Sequence, residues 1–393
     1  MKNTNINKIY LANFLKNLNF FGSITIPFFI DWIEVDYTRI FLLQAWFIFW
    51  TFILEIPTGI IADKWGRKYS VGLGCMLFGI DMLFFGISQN YYIFYLAEFL
   101  GALGFTMISG ADKALLYDTL IEINEEKKAR YYLARYELFG TIALLISFPI
   151  GSLIVGHWHY KGVLAFPFLL TGIISMIALL VFLWVREPKR VRSDERFLEM
   201  GINGLKTIFS HKKLYLFTLN YITISAITFF MFWFYQTLLR QTAVDVSYFG
   251  LVGSGCNLFA AILLSRLKIL EKYLGISRLL LYSAFIPGLL YVALALNKNL
   301  FFVLIAVVLI IGLKLLRMPI LLDYLNQMIE SRNRATFLSA VSILEKAIIF
   351  ILYPFVGLMA DYSIDIAFMF LGLLCLVFTL FTRIEKQFLL NEK

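Results

Sequence analysis

Charge is scarce in this chain: 16% of its 393 residues are Asp, Glu, Lys or Arg, against 60% that are apolar or aromatic. A water-soluble fold has too little polar surface at that ratio to cover its apolar surface, so lipid is the expected solvent. Cysteine is scarce as well. Cys75, Cys256 and Cys375 lie far apart inside apolar stretches, without Cys-x-x-Cys or Cys/His spacing, which argues against a disulfide framework and a metal site. The chain lacks a Gly-x-x-x-x-Gly-Lys-Ser/Thr loop, so ATP is not the expected direct energy source and no cofactor is implied. Histidine is limited to His157, His159 and His211, all in loops, and no Ser/His, His-Glu-x-x-His or paired-Asp arrangement stands at catalytic spacing. The chain does not read as an enzyme. A cleavable leader cannot be separated at the N-terminus, because the first apolar block runs on to about Phe29, and this first span is expected to stay in the mature protein.

What the chain does have is apolar blocks of roughly 20 residues, the length that crosses about 30 Å of hydrocarbon as a helix. They fall near 8–30, 39–61, 69–88, 91–118, 133–156 and 163–185, and, after a polar connector, near 213–237, 246–265, 278–297, 299–322, 336–359 and 365–383. The expected fold class is an all-α integral membrane protein of twelve transmembrane helices in two pseudo-symmetric six-helix bundles, residues 1–185 and 213–393. Between them the connector, 186–212, opens with Ser193 as a possible N-cap and spaces Leu198, Ile202, Leu205 and Phe209 at helical intervals. It reads equally as an interfacial helix or as a solvated linker.

The net charge of +9 does not point to nucleic acid, because the basic residues occupy short segments between apolar blocks instead of one face. Lys64, Arg67 and Lys68, then Lys127, Lys128 and Arg130, then Arg186, Lys189, Arg190 and Arg192, and finally Arg332 and Arg334 fall in alternate loops, and Asp31, Glu34 and Asp36 in a loop of the opposite set. By the positive-inside rule both termini are expected in the cytoplasm. The chain also repeats itself weakly: Ala114-Leu115-Leu116-Tyr117-Asp118 is followed 205 residues on by Pro319-Ile320-Leu321-Leu322-Asp323, and Pro149 is matched at the same offset by Pro354. Two halves built alike are an architecture of transporters.

Between spans 2 and 3 the sequence reads Gly59-Ile60-Ile61-Ala62-Asp63-Lys64-Trp65-Gly66-Arg67-Lys68. Elementary chemistry gives these residues work: Gly59 and Gly66 permit helix contact and a tight turn, Asp63 suits the positive end of a neighbouring helix, and Arg67 can pair with Asp118 at the base of span 4. The pattern, at this place in a twelve-span chain, resembles the loop signature of the major facilitator superfamily. The resemblance covers essentially the whole chain and implies a secondary transporter, closest in character to drug-efflux-like permeases, with Gly59, Asp63, Gly66, Arg67, Lys68 and Asp118 as a cytoplasmic gate and Asp63 facing span 11. The alternative is that these are solvated charges that set topology alone. The second-half loop, Glu271 to Arg278, is degenerate. An Arg that the family often carries early in span 4 is absent from Ala97-Glu98-Phe99-Leu100-Gly101, and the exporter signature of span 5 is reduced to Phe148-Pro149-Ile150-Gly151, where Pro149, Gly151 and, in span 11, Pro354 are expected helix kinks.

A charge at the middle of a membrane helix costs about 2.5–3.5 kcal/mol on insertion scales, so each one retained needs a partner, water or neutralisation. Glu98 is the first candidate for a proton-coupling site, with Asp81 and Asp112 beside it; the competing reading of each is a hydrogen-bonded structural acid. At the repeat offset Asp112 matches Arg317, so Asp112, Lys314 and Arg317 are candidates for the substrate path, the two cations suiting an anionic or zwitterionic ligand. A gate or structural pair near the cytoplasmic ends is the alternative. Glu137, Glu345 and Lys346 are expected to pair across the interface of the halves. Trp233 and Gln236, in an aromatic stretch of span 7, are further path candidates, although lipid-facing rings explain most of that stretch.

The expectation is therefore alternating-access transport driven by protons or another ion, by a monomer in the plasma membrane, acting on a small-molecule substrate. Efflux of small amphipathic compounds is favoured by the apolar spans, and uptake or exchange of a small anionic metabolite by Lys314 and Arg317. A sensor that has lost transport is the remaining class, and the short tails and connector offer it no signalling domain.

Overall fold

The computed structural model describes residues 2–158, 160–188, 206, 208–209, 212–328 and 334–382. The connector helix expected around Ser193, Leu198, Ile202 and Leu205 lies outside them. Among the described residues the regular structure is all helical, and eleven helical segments are long and apolar enough to cross a membrane. Their outward faces carry large apolar side chains such as Phe52, Leu180 and Ile351, each more than half exposed, which is the surface a lipid solvent requires.

By Cα proximity the chain divides into two units: Met1–Asp36, Leu42–Asp194 and Asp245–Ser254 form the first, and Tyr37–Phe41, Glu195–Val244 and Gly255–Lys393 the second. The first is built on α1 (Lys2–Lys16), the short α2 (Thr25–Pro27), most of α3 (Tyr37–Trp65), α4 (Arg67–Ile87), α5 (Tyr91–Ile108), α6 (Ala111–Glu122), α7 (Ala129–His157) and α8 (Phe166–Trp184). Its core places Ile9, Val71, Cys75, Leu115, Leu116 and Phe182 out of contact with solvent or lipid. Glycines set how closely these helices approach: a Cβ on Gly74 would meet the Gly104 carbonyl at 2.7 Å, and one on Gly104 the Gly74 carbonyl at the same distance.

The second unit holds α9 (Lys212–Phe229), α10 (Met231–Gln241), most of α11 (Phe249–Ser265), α12 (Leu267–Leu274), α13 (Ile276–Leu296), α14 (Leu300–Met328), α15 (Arg334–Tyr362) and α16 (Ile364–Phe381). Its core includes Phe217, Ile222, Leu280, Ile320, Phe337 and Val341.

Three of the expected spans are interrupted. The first, expected as one helix over 8–30, stops at Lys16 and resumes as short turns at Thr25–Pro27 and Phe28–Trp32. The fourth breaks at Ser109 and Gly110, where Gly110 adopts φ 76°, and the seventh breaks at Phe230. An unpaired backbone group in hydrocarbon costs several kcal/mol, so such breaks persist only where other groups replace the lost bonds. At the first break they do: Asn19 N–H donates to Ser147 Oγ at 3.0 Å, Phe20 N–H to Thr171 Oγ1 at 3.1 Å, and Gly22 N–H to Asn19 Oδ1 at 2.8 Å.

Pro149 lies inside α7. Proline cannot donate to the carbonyl four residues back, and that carbonyl, on Leu145, accepts from Ser254 Oγ at 3.3 Å instead. Gly151 is fixed by sterics, since a Cβ there would sit 1.8 Å from the Phe20 carbonyl oxygen. Pro354 lies inside α15.

Candidate functional site at two broken helices

α1 ends at Lys16 and α6 begins at Ala111, so Lys16 occupies the last turn of one half-helix and Asp112 the first turn of another. The partial negative charge at a helix C-terminus favours a cation and the partial positive charge at an N-terminus favours an anion, each by about 0.3–1 kcal/mol. Both helix ends therefore hold the charge that suits them, and the two charges meet: Lys16 Nζ lies 2.6 Å from Asp112 Oδ2. Tyr136, from α7, donates its hydroxyl to the same oxygen at 2.8 Å, while Asp112 Oδ1 accepts from the Lys113 N–H at 2.7 Å. Asn13 Nδ2 donates to the Tyr136 carbonyl at 2.7 Å and Asn17 Nδ2 to Asn13 Oδ1 at 2.8 Å, which extends the polar cluster along α1.

Lys16 was missed by sequence reasoning, though a signal existed: Asn13, Lys16, Asn17 and Asn19 interrupt an otherwise apolar block. Such a pair can exchange partners. An arriving anion can take the ammonium, or an arriving cation the carboxylate, and the group left behind still faces a favourable helix end.

Asp81 and Glu98 sit deeper in the same unit, at 2% and 7% exposure. Glu98 Oε1 accepts from Gln44 Nε2 at 2.7 Å. Asp81 Oδ2 lies 2.2 Å from where a Cβ on Gly101 would stand, one turn past Glu98, so only glycine at 101 leaves room for this carboxyl. Asp81 Oδ1 is buried with no hydrogen-bond partner among the described residues. The two acids thus converge between α3, α4 and α5.

The loop between α3 and α4 holds the gate residues. Gly66 turns the chain at φ 121°, a conformation L side chains rarely adopt. Arg67 Nη1 meets Asp118 Oδ2 at 2.6 Å, the expected pair. The N–H groups of Arg67 and Lys68 donate to the two carboxylate oxygens of Glu187 at 2.8 and 2.9 Å, so an acid from the start of the connector caps α4. Lys68 Nζ donates to the Val185 carbonyl at 3.1 Å. Asp63 is exposed in the last turn of α3, and Gly59 lies one turn before it. The degenerate second-half loop keeps the turn glycine, Gly275, at φ 74°.

In the second unit Arg317 is 1% exposed. Its guanidinium donates to the Leu280 carbonyl at 3.1 Å, to Ser283 Oγ at 2.8 Å and to Asn220 Oδ1. Every one of these partners is neutral and belongs to the second unit, whereas Asp112 pairs with Lys16 inside the first. Lys314 is half-buried, its Nζ 4.6 Å above the Phe229 ring centre where span 7 breaks. Trp233 and Gln236, just past that break, are both buried. Glu137 and Glu345 depart from the expected pairing across halves: Glu137 meets Lys113 at 2.6 Å in the first unit, and Glu345 accepts from Ser225 Oγ at 2.5 Å in the second.

Buried charges at interrupted helices in an all-helical membrane chain are the marks of a solute transporter, and comparison with known proteins agrees. The chain belongs to the Major Facilitator Superfamily, whose pattern it matches over residues 9–344. A stretch of 152 residues, 39% of the chain, is 28% identical to the uncharacterized MFS-type transporter YxaM of Bacillus subtilis (strain 168) and spans about a third of that relative's length, 35%. Among solved structures, a mutant of the nucleoside transporter NupG superimposes with a TM-score of 0.83 at 12% identity, covering 96% of this chain and 99% of that one. A bacterial homologue of the lysosomal transporter Spinster, inward-facing and occupied, gives 0.78 at 14% identity over 99% and 98% of the two chains. A POT family transporter in complex with 5-aminolevulinic acid gives 0.75 at 14% identity over 96% and 94%. The fold is that of these membrane transporters.

Proposed function

We propose that the chain is a secondary active transporter working by alternating access, coupled to protons, that exports small amphipathic compounds bearing a charged group across the plasma membrane. Two six-helix halves rock about a midplane site, both termini are cytoplasmic, and a monomer suffices. The observation that carries the reading is the Lys16–Asp112 pair at the ends of two interrupted helices, since irregular backbone at membrane depth characterises the substrate and ion sites of transporters. Lys16, Asp112 and Tyr136 contact substrate. Glu98 and Asp81, buried together beside Gln44, carry the coupling proton. Arg67 and Asp118 brace the gate loop.

A second reading, exchange of a small anionic metabolite, is favoured by Lys314, a cation held over an aromatic ring. The two are separated by thermal stability of the purified protein against lipophilic cations, antibiotics, amino acids, sugars and organic anions. A ligand that binds only the folded state at 100 times its dissociation constant adds about 2.7 kcal/mol. Stabilisation by amphipathic drugs supports export, stabilisation by small anions alone supports the second reading, and proteoliposomes that accumulate neither class under a pH gradient overturn proton-coupled transport.

A further inference from the structure

Near the ends of α3 and α15 the chain carries one pentapeptide pattern twice, Gly59-Ile60-Ile61-Ala62-Asp63 and Gly357-Leu358-Met359-Ala360-Asp361. The second copy lies in no loop signature, and its geometry gives it a task. Asp361 Oδ1 accepts from the Tyr37 N–H at 2.7 Å and Oδ2 from the Thr38 N–H at 2.9 Å, and Oδ2 also accepts from the Thr38 hydroxyl. Tyr37 and Thr38 open α3, where N–H groups have no partner within the helix and the dipole favours an anion. Gly357 makes the approach possible, because a Cβ there would stand 2.8 Å from Thr38 Cα and 3.2 Å from the Tyr37 carbonyl oxygen. Behind this contact the Tyr37 hydroxyl lies 2.8 Å from Thr237 Oγ1.

α3 is one continuous helix, yet Tyr37–Phe41 group with the second unit and Leu42 onward with the first. Any movement of the repeats therefore loads the start of α3. We propose that Asp361 is a reversible latch on the first turn of α3, closed in this structure and opened once in each transport cycle. Asp361 is exposed, so water can take over both the carboxylate and the freed N–H groups when the latch opens. Glu187 caps α4 with the same two-oxygen geometry, but α4 lies wholly in the first unit, together with Glu187, and nothing requires release. The latch rests on alternating access and is independent of the substrate and of the coupling ion.

The test uses full-length, detergent-purified protein with Cys75, Cys256 and Cys375 replaced by alanine and one thiol introduced by T237C; Thr237 is 5% exposed. Asp361→Ala is expected to raise the rate of maleimide labelling at position 237 about fivefold, the effect of losing a helix cap. Gly357→Val is expected to raise it similarly, and Asp361→Asn less, since an amide oxygen still accepts. Asp365→Asn, whose carboxylate pairs with Lys298 at 2.7 Å, should leave the rate unchanged. Salt should speed labelling of the parent and not of Asp361→Asn, because only a charged cap is screened. If Asp361→Ala does not purify as a single species, Asp361→Asn and the salt series decide alone. Unchanged labelling in the Asp361 variants, or an equal rise in Asp365→Asn, overturns the latch and leaves the transport reading standing.

Discussion

Asp112 and Arg317 stand at the same offset in the two sequence repeats, and the fold treats them in opposite ways. Asp112 meets an ammonium, a phenol and the start of a half-helix, whereas Arg317 is enclosed by an amide, a hydroxyl and a carbonyl. A charge satisfied by another charge can trade that partner for a ligand. A charge satisfied by neutral oxygens fixed in the surrounding helices has nothing to trade, and its contribution is to hold α9, α13 and α14 together. The same repeat position is thus paired with a charge in one half and enclosed by neutral groups in the other.

The sharpest way to break this comparison is to remove the caged charge. Arg317→Met should cost about 3 kcal/mol, since it leaves several buried hydrogen-bonding groups unpaired, and should lower the thermal midpoint more than any change at Lys16 or Asp112. Arg317→Lys should recover little, because a single ammonium cannot reproduce the planar fork. An unshifted midpoint in Arg317→Met would place Arg317 with the exchangeable charges.

At the first-unit pair the order reverses, with function lost before stability. Lys16→Met and Asp112→Asn should each reduce transport more than tenfold. The double change Lys16→Met with Asp112→Leu should unfold within about 1 kcal/mol of the parent, because replacing both members of a buried pair leaves no orphaned charge. Transport that survives the double change would remove the pair from the substrate path.

Glu98→Gln sharpens the division of labour within the first unit. The amide keeps the size of the Glu98 side chain but cannot carry a proton, so the variant should let substrate equilibrate and fail to concentrate it against a gradient. Accumulation by Glu98→Gln would take Glu98 out of the coupling role.

The smallest effect belongs to Glu34, at the surface. The Lys161 ammonium, 2.8 Å away and hydrogen-bonded, holds the Glu34 carboxyl below its ordinary value of 4.5. A depressed folded-state value means that the contribution is present above about pH 4.5 and is lost as pH falls through the lower folded value. Glu34→Gln should therefore remove a slight acid destabilisation and leave stability near neutrality almost unchanged, as thermal scans from pH 3 to 7, a range of roughly four units, would read.

Much of this organisation was legible beforehand. Apolar block lengths marked the spans, the Gly59 to Lys68 signature marked the family, and the Arg67–Asp118 pair followed from charge and position. The break in span 1 was not legible, because what stabilises it is remote in sequence: Ser147 and Thr171 pair the backbone of Asn19 and Phe20. Once the breaks are unseen, a helix end cannot be recognised as a place for Lys16 or Asp112. Arg317 was set beside Asp112 because the repeat offset matches them, whereas the cage of neutral oxygens from Asn220, Ser283 and Leu280 leaves no pattern along the chain. Glu137 and Glu345 failed for a related reason, as Lys113 and Ser225 within their own units were nearer.

The most direct measurement is ligand-induced thermal stabilisation compared across three proteins: the parent, Lys16→Met and Arg317→Lys, each with the compound that most stabilises the parent. The account predicts that the ligand shift disappears in Lys16→Met and persists in Arg317→Lys, even though the latter starts from the lower midpoint. A full shift in Lys16→Met, or its loss in Arg317→Lys alone, would contradict the assignment of the exchangeable pair as the substrate contact.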